Sequence, residues 1–111
     1  MIDLAPGELV WATPDFTVGR EQAGRRPVLV VAGSGYLAAA DTLAIVVPLT
    51  RTDRQWPNHV RILSSALSTD SWAMTEQVRA ISRDRIVGRI GRCSAANLAE
   101  VRTWLRDFLD L

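Results

Sequence analysis

Thr42-Leu43-Ala44-Ile45-Val46-Val47-Pro48-Leu49-Thr50 is long and almost wholly apolar, as a strand running through the middle of a small barrel would be. Pro48 has no N–H to give to a ladder, so pairing on that side is expected to stop there and leave Thr50 at the rim. Upstream, Gly33-Ser34-Gly35 breaks the chain after a second apolar strand at residues 27–32, and residues 7–13 alternate enough to be a first strand, closed by Pro14-Asp15. Downstream, residues 51–57 form a polar loop and residues 59–63 alternate as a fourth strand. Two short strands follow at residues 72–74 and 77–81, and a last one at 86–90 after a turn at Ser82-Arg83-Asp84. This spacing predicts a mainly β body. The exception is the end, where Ser94 caps a helix whose Leu98, Val101, Leu105 and Phe108 fall on one buried face, widened by Trp104 and Leu109.

With 111 residues the chain makes one domain with a single core. Its 48% hydrophobic content and mean hydropathy of +0.07 are high for a small monomer, a hint that a partner subunit covers part of the apolar surface. A formal charge of +1 is too balanced for tight, sequence-blind duplex binding, which relies on many phosphate contacts, so any nucleic-acid site is local. All 13 basic residues are arginine. That fits a GC-rich genome as well as a need for bidentate phosphate contacts. The single cysteine, Cys93, has no internal disulfide partner, and without a signal-peptide pattern or long apolar run the chain is expected to be cytoplasmic, with no membrane role. Arg92 and the helix start beside Cys93 would lower a thiol pKa. With only one histidine and no second cysteine, though, a catalytic or metal role for it is not expected, and no cofactor is implied.

Glu21-Gln22-Ala23-Gly24-Arg25-Arg26-Pro27-Val28-Leu29-Val30-Val31 carries the chemistry: a polar, glycine-bearing loop that ends in two arginines and turns at once into an apolar strand. Pro27 fixes its own φ and pushes Arg26 into an extended conformation, which launches its guanidinium from a sheet rim. A planar, permanently charged group there suits a phosphate or an oxyanion; the plain alternative is a surface ion pair. The loop at residues 14–26 is the longest structureless stretch, and such loops in small domains are usually functional.

The segments Gly7-Glu8-Leu9-Val10-Trp11, Gly19-Arg20-Glu21-Gln22-Ala23-Gly24-Arg25-Arg26-Pro27-Val28-Leu29-Val30, Val46-Val47-Pro48-Leu49-Thr50, Pro57-Asn58-His59-Val60 and Glu76-Gln77-Val78-Arg79 before Ser82-Arg83-Asp84-Arg85-Ile86 resemble, in order and spacing, the MazF/PemK family of toxin endoribonucleases. The resemblance implies an SH3-like barrel with short helices and a C-terminal α-helix. It implies a homodimer with single-stranded RNA in a groove across the subunit interface, metal-independent cleavage at a short sequence, and a cognate MazE-like antitoxin whose C-terminal segment occupies that groove.

The family's catalytic arginine and threonine fall on Arg26 and Thr50. Both lie at the ends of strands that are plausible neighbours. Arg26 suits stabilisation of charge on the phosphate during attack by the 2′-OH, and Thr50 suits a hydrogen bond to the same phosphate or to the 2′-OH. Neither is an obvious general base. His59 has the right ordinary pKa for one, yet the resemblance sets it among framework positions. Glu21, Gln22, Arg25, Arg51, Glu76, Gln77 and Arg79 are candidates for RNA contact, and Trp56 for base stacking, against the alternatives of structural pairs and a packing plug. The same barrel serves the CcdB toxins, which poison DNA gyrase without cleaving anything, so a non-catalytic gyrase-binding reading stands beside the nuclease.

Overall fold

The computed structural model describes residues 3–13 and 24–111. Its elements are β1 (Glu8–Ala12), β2 (Arg26–Val30), α1 (Ser34–Ala39), β3 (Leu43–Thr50), β4 (His59–Arg61), β5 (Trp72–Met74), β6 (Arg79–Ser82), β7 (Ile86–Arg92) and α2 (Ala95–Leu109), with 3₁₀ turns at Thr75–Gln77 and Arg83–Arg85. The hydrogen-bonded path runs β4-β5-β3-β2-β1-β7, and β6 joins it on β3. All pairs are antiparallel. The mainly β fold with a C-terminal helix is as expected. Among the described residues no pair joins the two ends of that path, so the sheet of the expected SH3-like fold stays open.

β3 is apolar along its length because the sheet buries both faces. Val46, with Val28 and Val30 from β2, packs into one core that also holds Val10, Ala44, Ile81 and Leu37 of α1. Val47 and Leu49, with Leu29, face a second core closed by Val60, Ala73 and Val101 of α2. Successive residues of a strand point to opposite faces, so β2 and β3 feed the two cores alternately. Pro48 sits where β3 changes neighbour: it pairs with β6 through Val46 and with β5 from Leu49 onward. The missing N–H thus falls at a break between two partners, where it costs no ladder bond.

Helix α2 starts as its sequence predicts, with the Ser94 hydroxyl accepting the Asn97 amide at 3.1 Å. Two side chains fasten it to the sheet. Buried Asn97 accepts the Leu63 amide at 2.7 Å and donates to the Arg61 carbonyl at 3.1 Å. Arg102 donates to the carbonyls of Val31, at 3.0 and 3.2 Å, and Ala32. The expected buried face overshoots: Leu98, Val101, Trp104 and Leu105 reach the second core, whereas Phe108 and Leu109 are exposed because the helix outruns the sheet beneath it.

Two further expectations are corrected. The segment read only as a break at Gly33-Ser34-Gly35 opens α1, where the Leu37 amide bonds Gly33 and the Ala40 amide bonds Tyr36. The strong helix formers that follow and the burial of Leu37 outweigh the two glycines. Gln77, assigned to a strand, lies instead in the turn Thr75–Gln77, and β6 begins at Arg79.

Candidate functional site

The strand registers bring the predicted pair together. Ala12 opposes Arg26 across β1 and β2, and Thr50 opposes Trp72 across β3 and β5. Between β2 and β3 the recorded partners include Val28 with Pro48. Arg26 and Thr50 each lie two residues beyond that pair, at the rim where the pairing of β2 with β3 stops, and both line one groove there. The Thr50 hydroxyl oxygen accepts the Thr52 amide at 3.1 Å, which orients it and leaves its proton free to donate outward.

Arg25, one residue before the start of β2, reaches the same rim. Its guanidinium carbon lies 4.5 Å from the centroid of the Trp11 ring, a cation–π contact. Around this rim lies a groove of about 740 Å³, lined by Trp11, Arg25, Arg26, Thr50, Arg51, Arg54 and Gln77 together with a polar stretch over Ser68, Thr69 and Ser71. Four guanidinium groups on one concavity make a local anion site in a chain of nearly neutral charge.

Of the proposed RNA contacts, Arg25, Arg51 and Gln77 line this groove. Glu21 and Gln22 lie outside the described residues. Three candidates do not line it. Arg79 sits on β6, opposite Val46 in the sheet. Trp56 packs on His59, with ring centroids 4.7 Å apart. The Glu76 carboxylate is held by Asn58 Nδ2 at 2.9 Å and by His59 Nε2 at 3.0 Å. Burial pushes the Glu76 carboxyl up, but hydrogen bonds from His59, its own amide and Asn58, with the electrostatic attraction of His59, outweigh this and hold it below the usual carboxylate range.

His59 itself is withdrawn from the groove, with its side chain only 1% exposed. That disposes of it as a base reaching the 2′-OH. For Cys93 the expectation of a lowered pKa is reversed: burial pushes the thiol up, and the Cys93 and Leu98 backbone amides and Arg102 offset this only in part.

Sequence reading missed Trp11, Arg54 and the stretch 68–71. Arg54 had a signal, since it shares a polar loop with Arg51. Trp11 needed the register that sets it opposite Pro27. Residues 68–71 carry no local mark of a groove wall.

Residues 5–109 match a family described as PemK-like, MazF-like toxin of type II toxin-antitoxin system. The chain is 34% identical, over 95% of each chain, to Endoribonuclease MazF9 of Mycobacterium tuberculosis. It is 32% identical to Endoribonuclease toxin MazF of Escherichia coli over 68% of this chain and 66% of that one. Among solved structures, MazF from Deinococcus radiodurans superposes with a TM-score of 0.81 at 28% identity over the whole of both chains. A MazE-MazF structure from the same organism gives 0.85 at 26%, covering 100% of this chain and 99% of that one. The chain belongs to the PemK-like and MazF-like toxins of type II toxin–antitoxin systems.

Proposed function

We propose that this chain is a metal-independent endoribonuclease that cuts single-stranded RNA at a short sequence and is neutralised by a MazE-like antitoxin. The observation that carries the reading is the juxtaposition of Arg26 and Thr50 at the mouth of an arginine-lined groove. The RNA supplies its own nucleophile. The 2′-oxygen attacks the adjacent phosphorus, the P–O5′ bond breaks, and the products are a 2′,3′-cyclic phosphate and a 5′-OH. Negative charge grows on the non-bridging oxygens, where Arg26 donates two parallel hydrogen bonds and Thr50 a third. Arg25, Arg51 and Arg54 hold flanking phosphates, and Gln77 with the hydroxyls of 68–71 meets unstacked base edges. The proton from the 2′-OH goes to a base that is none of Arg26, Thr50 and His59.

Endoribonuclease is the activity named for the Mycobacterium tuberculosis and Escherichia coli relatives, and MazE is named beside MazF in the Deinococcus radiodurans structure. Exposed Val87, Phe108, Leu109 and Leu111 support a homodimer, since an apolar surface of this kind favours a second copy. Incubation of the purified protein with a long unstructured RNA in EDTA tests the reading, with mapping of both ends. Cleavage leaving cyclic phosphate and 5′-OH ends is expected. Activity that vanishes in EDTA and returns with magnesium overturns metal independence, and gyrase inhibition without RNA cleavage points to the CcdB-like alternative.

A further inference from the structure

His59 sits at the centre of a chain of contacts whose two ends are groove walls. Its Nε2 lies 3.0 and 3.1 Å from the two oxygens of Glu76, and Glu76 directly precedes the groove residue Gln77 within one 3₁₀ turn. Its ring carries Trp56 at 4.7 Å. The Trp56 ring in turn carries the guanidinium of the groove residue Arg54, 5.8 Å from its centroid. The turn is further clamped from the same segment: Thr75 Oγ1 donates to the Asn58 carbonyl at 2.7 Å, and Asn58 Nδ2 donates to Glu76 at 2.9 Å.

A side chain that only filled space here would be apolar. Instead a buried imidazole is used although its Nδ1 has no hydrogen-bond partner, a feature that costs stability. Aliphatic residues lack the flat face that packs on Trp56, and phenylalanine lacks the donor to Glu76.

We propose that His59 is a positioning residue: it fixes Arg54 and Gln77 relative to one another and so selects which RNA sequence the groove accepts. The proposal rests on the endoribonuclease reading and adds a determinant of specificity that touches no substrate. Displacing a groove wall weakens binding and relaxes base choice while Arg26 and Thr50, on the strand ends, keep the chemical step.

The test compares the wild-type protein with His59→Phe, which keeps the ring face and loses the donor, and His59→Gln, which keeps a donor and loses the face. Trp56→Leu, at an exposed position, breaks the same chain from its other side without entering the core. Each is assayed for kcat, KM and the pattern of cut sites on one long RNA, with thermal melts to confirm folding. We expect KM to rise roughly five- to ten-fold and secondary cut sites to appear, with kcat within about two-fold. His59→Phe combined with Trp56→Leu should be no worse than the stronger single variant, because both interrupt one path.

Unchanged KM and cut sites in folded variants overturn the proposal, as do independent, multiplying effects in the double variant. A fall in kcat at constant KM overturns it too, because it would put His59 in the chemistry. If His59→Phe does not fold, Trp56→Leu alone decides. No cleavage by the wild-type protein overturns the endoribonuclease reading, and this inference with it; wild-type cleavage with unaltered variants overturns only the inference.

Discussion

Arg25 and Arg26 are identical in chemistry and line one groove, but they differ in what stands beside them. Arg25 is committed to the Trp11 ring, and Arg26 comes beside Thr50. Removing a preorganised donor from a developing oxyanion costs about 10²–10³ in rate. Arg26→Ala should therefore lose at least that much in single-turnover cleavage at saturating protein while its melting temperature holds. Arg25→Ala should weaken binding and lower the salt dependence by about one phosphate contact, with the cleavage step near normal. The reverse outcome would mean that the register of β2 is misread. Glu76 makes a second residue-scale prediction. Its carboxyl is held below the usual range in the folded chain, so its contribution to stability is complete above the ordinary glutamate value of about 4.3 and is lost as pH falls through the lowered value. In melts across pH, the stability gap between wild type and Glu76→Gln should be widest near neutrality and close in acid. A gap that widens in acid would contradict the hydrogen-bond assignment. At this scale Arg26 and Thr50 were legible because Pro27 and Pro48, their near neighbours, mark the strand ends. The tie of Glu76 to His59 was not, because a contact between residues 17 apart leaves no trace in local pattern.

The two long elements at the centre and the end, β3 and α2, could be read from pattern, since all of β3 but Leu43 is at least partly buried and the α2 stripe is covered as far as Leu105. α1 could not, because its evidence lies in packing: Leu37 inserts into the first core from a segment that opens with two glycines. One close approach between elements has an energetic consequence. A methyl group on Gly91 of β7 would stand 2.6 Å from the Ala66 Cβ, too close for any van der Waals contact, and Ala66 has no flexible end to swing aside. Ala66 also lines the groove. Gly91→Ala should cost about 1–3 kcal/mol as overpacking forces the loop away, read as a lower urea midpoint with an unchanged slope, and should raise KM for RNA. A variant with wild-type stability would show that the loop around Ala66 yields freely.

For the whole molecule, the proposed function asks one groove to serve two partners of the same charge. RNA phosphates and the carboxylates of an acidic, disordered antitoxin segment both complement Arg25, Arg26, Arg51 and Arg54. Competition is therefore expected: titrating antitoxin into a complex with an uncleavable RNA analogue should displace the RNA stoichiometrically, and simultaneous binding at full affinity would refute a shared groove. The latch between α2 and the chain just after β2, where Arg102 donates to the carbonyls of Val31 and Ala32, bears on synthesis as well as on the finished protein. β2 carries Arg26 and is made before Val101, which the second core beneath that strand requires. Long-range pairings form only once both strands are available, and a nascent chain folds as its segments emerge. On the proposed reading, a chain cut short before residues 95–109 should lack RNA cleavage, because the second core behind the groove stays open without Val101.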